Sequence, residues 1–242
     1  MSRAVASSAL MGWALLIALA ALTLLPASAR ADDRPFVVVD TAVGEEDDDR
    51  VWSVETWALR LGQLLKLTAT AEYAFDPSNA VQFDLTRVRV RDTQSLGAGV
   101  EVSYKHLVNR VARDGWGLGF VLSLDLERES GRSWRAEGVS LRVPASVPVG
   151  NSGALLHLNL GIDKAAGERR SFTSGLALEV PLFRRTTGLL EAAREADQRW
   201  LHAGLRHWIQ RERFAIDFGL LQRQASGNRE RGWVMGLSWF DL

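Results

Sequence analysis

Between Trp116 and Glu127 the chain alternates without a break. The even positions are Trp116, Leu118, Phe120, Leu122, Leu124 and Leu126; the odd ones are Gly117, Gly119, Val121, Ser123, Asp125 and Glu127. Successive side chains of a strand point to opposite faces, so this segment has one wholly apolar face and one that is small or charged. A soluble sandwich has the same period. The length of the apolar face, with Trp at one end and carboxylates opposite, matches instead a strand between lipid and a wet lumen. The expected fold class is therefore all-β, an antiparallel transmembrane β-barrel.

The pattern recurs along the chain. Leu65, Leu67, Ala69, Ala71, Tyr73 and Phe75 alternate with polar residues up to a turn at Asp76-Pro77-Ser78-Asn79, and Val81, Phe83 and Leu85 follow. The next apolar pair, Val88 and Val90, is out of phase, which predicts a β-bulge near Thr86 and turns Arg87 and Arg89 inward. Leu96 to Tyr104, Leu156 to Ile162, Phe172 to Leu182, Phe214 to Leu220 and Trp233 to Trp239 repeat the alternation, whereas Trp134 to Val143 is less clean. Glu191 to Ala196 has helix propensity, but the alternation of Leu201, Ala203, Leu205 and Ile209 with polar neighbours favours two strands across 186–209. Spanning strands take roughly 9 to 11 residues and bacterial barrels have even strand numbers, so 51–242 holds about twelve.

Ahead of the barrel, residues 1–31 read as a cleaved signal peptide: Arg3, an apolar run from Ala9 to Leu25, and a small-residue site at Ala29-Arg30-Ala31. Residues 32–50, with the acidic run Glu45 to Asp49, read as a solvated periplasmic arm. No later stretch reaches about 18 consecutive apolar residues, so the mature chain enters a membrane through strands. The 29 basic and 29 acidic residues balance and leave no electrostatic footprint for nucleic acid. The absence of cysteine excludes disulfides, thiolate metal sites and a Cys nucleophile.

These segments, in order, resemble the outer-membrane family named for the meta-cleavage pathway of phenol degradation. The resemblance rests on 71–75 (AEYAF) and 81–85 (VQFDL), on 97–105 (GAGVEVSYK), on 157–161 (HLNLG) and on 205–208 (LRHW). It implies a small barrel in the bacterial outer membrane with a channel or transport role.

Residues opposite the apolar faces are assigned to the lumen. They are Glu72, Asp84, Arg87, Arg89, Glu101 and Lys105 on the early strands, and Asp125, Glu127, His157, Glu179, Arg206 and Asp217 on the later ones. Both signs occur, which suits either a narrow polar pore or side chains that pair and close it. For catalysis, His157 has Ser123, Asp125 and Asp163 as conceivable partners, but no compact His-and-Ser motif is present. His202 and His207 differ by five and so sit on opposite strand faces, which makes them poor joint metal ligands. Most tryptophans fall near strand ends, as interfacial girdles require; Trp208 is a candidate for stacking if it points inward. The expectation is a non-enzymatic channel or transporter for small solutes, aromatic or hydrophobic ones included, without metal or cofactor. Its partners are outer-membrane lipid, the solute and the outer-membrane assembly machinery. The alternative is a closed structural or partner-binding barrel.

Overall fold

The computed structural model describes residues 36–43, 51–92, 96–129 and 131–240. The expected signal peptide, the acidic run and the last two residues lie outside them. Twelve antiparallel strands form one closed barrel. The first six are β1 Val51–Leu61, β2 Leu64–Asp76, β3 Asn79–Val90, β4 Leu96–Asn109, β5 Gly117–Glu129 and β6 Arg135–Val149. The second six are β7 Ala154–Ala165, β8 Ser171–Phe183, β9 Thr186–Glu195, β10 Gln198–Gln210, β11 Phe214–Ala225 and β12 Asn228–Trp239. A four-residue helix, α1 Val111–Asp114, sits in the β4–β5 turn.

Closure comes from β1 against β12, in register from Val54↔Trp239 to Leu61↔Gly232. Every strand then has two neighbours, and no edge is left to lipid. Val51 and Trp239 share what is here named the terminal end of the barrel; the opposite end is the far end.

The alternation read from the sequence becomes an inside and an outside. Leu122, Leu160, Phe172 and Leu220 are exposed on the outer face, while Val121, Ser123, Asn159, Thr173 and Leu221 are buried on the inner one. Aromatic rings crowd the outside near the terminal end: Trp52 on Tyr73 at 4.8 Å, Tyr73 on Phe75 at 5.7 Å, and Phe214 on Trp239 at 4.6 Å between ring centroids. They form the interfacial girdle expected of a membrane barrel. The helix-prone stretch Glu191 to Glu195 is strand, paired to β8 and β10 along its length. Tertiary pairing overrides local propensity there.

Two readings are corrected. β3 keeps its register with β2 and β4 through Thr86, with no bulge near it. Arg87 and Arg89 therefore share the outer face with Leu85, and Val88 points inward, where its Cβ lies 3.9 Å from the Cβ position of Gly97. The irregularity lies in β6: its pairing to β5 slips between Asp125↔Gly138 and Leu126↔Ala136, which leaves Glu137 as the extra residue. Pro144 and Pro148 further along β6 lack the N–H that a ladder uses. The bulge accounts for the poor alternation of Trp134 to Val143.

Leu122 is 53% exposed near the middle of β5. Leu122→Arg is expected to cost about 2–4 kcal/mol, the charge penalty at a bilayer midplane. The loss will appear as failure to reach the heat-modifiable folded form on refolding into vesicles.

Candidate functional site

The lumen is not empty. Residues 36–43, expected to lie in the periplasm, run inside the barrel from Val43 near the terminal end to Phe36 at mid-depth. Phe36, Val38, Val39 and Ala42 are all buried. The sequence Phe36-Val37-Val38-Val39 explains why: Phe36, Val38 and Val39 gain roughly 1.5–3 kcal/mol each from burial, which a solvated arm would forgo, and Val37 is partly buried beside them. Phe36, Val38 and Val39 pack on Ala177, Leu189 and Ala193; Val37 touches a second cluster of Leu61, Leu221 and Val234.

Burying this backbone requires acceptors for its N–H groups. Glu191 on β9 supplies them. Its carboxylate accepts hydrogen bonds from Val37 N at 2.8 Å, Val38 N at 2.7 Å and Val39 N at 2.8 Å. His202 Nδ1 on the adjoining strand lies 3.3 Å from the same carboxylate. Successive N–H groups that converge on an anion form a nest, here filled by the protein's own side chain. Lower down, Ala42 N donates to Ser146 Oγ at 2.8 Å, Asn159 Nδ2 donates to Asp40 O at 2.6 Å, and Lys105 Nζ donates to Val43 O at 3.3 Å.

Glycines make the room. A Cβ on Gly117 would stand 2.0 Å from Ala42 O, and one on Gly175 2.4 Å from Val39 Cγ2. Any side chain at either position would collide with the segment.

Charged groups fill the rest of the lumen wall in pairs. Arg206 donates through Nε and Nη2 to the two carboxylate oxygens of Asp217, at 2.8 and 3.0 Å, and stacks on Trp208 and Phe240. This buried knot stands toward the terminal end. Phe240, just after β12, is buried there beside Trp208 and Ala215. Arg142 sits among four acceptors: Val38 O at 3.3 Å, Asp40 at 3.5 Å, Glu195 at 3.6 Å and Asp163 at 3.9 Å. Asp84 accepts from Thr70 at 2.5 Å and from Gln82 at 2.7 Å.

Of the expected lumen residues, Glu72, Asp84, Glu101, Lys105, Asp125, His157, Glu179, Arg206 and Asp217 occupy inward positions, and Glu127 lies at the far mouth beside Gly99. Arg87 and Arg89 do not line it. Their unbroken ladder holds them on the outside, above the apolar belt, where a charge stays solvated. Glu191, Arg142, Ser146 and Asn159 are the lumen residues that the sequence reading passed over. Arg142 follows the β6 bulge, and Glu191 lies in the helix-prone stretch. The available signals were the β-branched run at 37–39 and the inward Gly117 and Gly175.

His157 meets none of the partners foreseen for it. Its Nδ1 lies 2.8 Å from Ser146 Oγ and its Nε2 3.2 Å from Glu179 Oε1, with Phe36 against the ring at 5.4 Å. Ser123 bonds Ser103 at 2.8 Å, and Asp163 accepts from Thr173. A Ser-His-Glu series resembles a hydrolytic triad. Here Ser146 is wholly buried beneath Ala42, so its hydroxyl has no face open to an acyl carbonyl. The series runs instead from Ala42 N–H through Ser146 and His157 to Glu179, and ties the segment to the wall. Trp208 does point inward, but Arg206 and Phe240 already occupy its faces. Trp57 and Trp200 also face the lumen, beside Val37. No cluster of three metal-binding side chains occurs among the described residues.

Solved structures of low identity share this architecture. The KdgM porin superposes with a TM-score of 0.57 at 10% identity, over 77% of this chain and 98% of its own. The NanC porin gives 0.56 at 7% identity, over 78% and 98%. The β domain of the Bordetella autotransporter Brka gives 0.51 at 11%, over 81% and 99%. The fold is that of a bacterial outer-membrane β-barrel. No protein-family model matches the chain, nor does any curated protein, so the resemblance to the phenol meta-cleavage family stands at the level of the shared barrel.

Two outcomes are expected. Glu191→Ala strips the N–H groups of Val37, Val38 and Val39 of their acceptor, at about 1–3 kcal/mol for each of the two buried ones. It should free the segment, read as a rise of roughly tenfold or more in maleimide labelling of a Val38→Cys reporter in this cysteine-free chain. Arg206→Ala leaves Asp217 buried without its cation and is expected to lower stability by about 3–5 kcal/mol in urea unfolding from vesicles.

Proposed function

We propose that this barrel passes small solutes across the outer membrane through a lumen that residues 36–43 constrict. The supporting observation is a chamber of about 320 Å³ between the segment and the far mouth. One side of it is aromatic and aliphatic, with Phe36, Val37, Trp57 and Trp200; the other carries Lys66, Asp84, Glu101 and Arg142. Such a chamber suits a compact solute with an apolar ring and one or two polar groups, since the ring displaces water from the tryptophans while the polar groups find partners. The KdgM porin, of similar architecture, is described in complex with disordered oligogalacturonate, which supports solute passage through barrels of this shape.

A second reading has its own observation. The buried Arg206–Asp217 knot with Trp208 and Phe240, and the tethered segment, both lie toward the terminal end of the lumen, an arrangement that supports a closed structural barrel.

Single-channel conductance in planar bilayers separates the two. A transport barrel is expected to give small discrete steps that grow at least severalfold when residues 36–43 are deleted, and that a phenolic solute blocks. Silence from both the intact and the shortened protein, each shown to be inserted, would establish the closed barrel.

A further inference from the structure

The outer surface carries a charge asymmetry that the channel reading leaves unused. Toward the far end, outward positions are basic on strand after strand: Arg60 on β1, Arg87 and Arg89 on β3, Arg128 on β5. Lys164 on β7, Arg194 on β9, Arg199 on β10, and Arg229 and Arg231 on β12 continue the series. All are exposed, and among the described residues none forms an ion pair with a carboxylate. The acidic side chains of the strands point inward, apart from the bulged Glu137, which pairs with Arg135.

On one side of the barrel this basic collar meets a groove. Two neighbouring rows of the ladder build it. The row nearer the middle runs Leu158, Leu176, Ala192, Leu201 and Gln222 across β7 to β11. The row above it runs Ser174, Arg194, Arg199, Gln224 and Arg229 across β8 to β12. Ala192, small between two leucines, opens a depression in the apolar belt, and the groove has a volume of about 710 Å³. Arg194 and Arg199 are directly opposed on adjacent strands. Like charges in that relation repel, unless an anion lies between them. Arg194 Nε is held by Ala196 O at 3.1 Å, which fixes the guanidinium at the rim.

We infer that the groove binds a phosphorylated acyl glycolipid in the leaflet at the far end. One phosphate lies between Arg194, Arg199 and Arg229, where planar guanidinium forks match its oxygens. An acyl chain lies over Ala192, against Leu158, Leu176 and Leu201. Charge selects the phosphate and shape selects the chain, so loss of either weakens binding. An even strand number brings the start of β1 and the end of β12 to the same rim; with that rim on the periplasmic side, the groove at the far end lies in the outer leaflet.

The test uses the refolded mature protein in a neutral detergent, titrated with bisphosphorylated lipid A and followed by native mass spectrometry. Its dephosphorylated form and phosphatidylglycerol serve as comparisons. The intact protein is expected to retain lipid A in preference to both. The triple variant Arg194→Gln, Arg199→Gln, Arg229→Gln should bind it at least roughly tenfold more weakly, since it removes the guanidinium groups that pair with the phosphate. Ala192→Trp fills the groove and keeps every arginine; it should weaken binding comparably. Arg87→Gln with Arg89→Gln, on the opposite run of the collar, should leave it within about twofold. Equal retention of dephosphorylated lipid or of phosphatidylglycerol would overturn the inference. So would an unaffected Ala192→Trp variant, or equal losses from both arginine sets, which would mark unspecific attraction to charge. All variants change outward side chains only, and heat-modifiable mobility confirms that each barrel is folded.

Discussion

In the hydrocarbon of a membrane an unpaired backbone N–H or C=O has nothing to bond with, and the rest of this structure depends on that constraint. Strands satisfy it only if the sheet closes, and the pairing of β1 with β12 closes it here. Closure then sorts every side chain. Outward positions must be apolar through the belt, and inward positions collect nearly all of the strands' acidic side chains, with basic partners among them. A lumen of this size cannot leave those charges isolated, because an unpaired buried charge is far costlier than a paired one. The bidentate Arg206–Asp217 pair and the acceptors around Arg142 are the result.

The same logic accounts for the segment inside. Its apolar side chains gain from burial, but its backbone brings N–H groups into a space without bulk water. Glu191 resolves both sides of the problem: a carboxylate that would itself be costly to bury is stabilised by three N–H donors, and those donors gain an acceptor. Gly117 and Gly175 set how close the segment approaches. The lumen is therefore shaped by contacts between distant parts of the chain, with the barrel wall and the segment complementary in charge and in volume.

Outside, the two ends differ in kind. Stacked rings surround the terminal end, where amphipathic aromatics fit the interface between lipid tails and water. Arginines surround the far end. The outward strand positions near the two rims thus differ in chemistry, aromatic at one and basic at the other.

Local alternation carried the fold. Trp116 to Glu127 and its repeats determined strand, face and approximate strand number, because in a closed barrel the period of two records the environment on each side of the wall. It placed Glu72, Asp84, His157 and Asp217 in the lumen for the same reason. It failed where a residue pair breaks phase for a reason outside the strand. Val88 and Val90 mimic a lipid-facing pair, yet they turn inward while Arg87 and Arg89 stand above the belt, and only the ladder with β2 and β4 distinguishes these cases. Arg142 was hidden by the bulge at Glu137. The segment at 36–43 was beyond reach altogether: Val37 and Glu191 are 154 residues apart, and no local period encodes which carboxylate will accept which N–H. By itself, then, the sequence determined the wall, since a strand's two faces are a property of neighbouring residues. Tertiary structure alone decided what fills it, since complementarity across a lumen exists only once the barrel has closed.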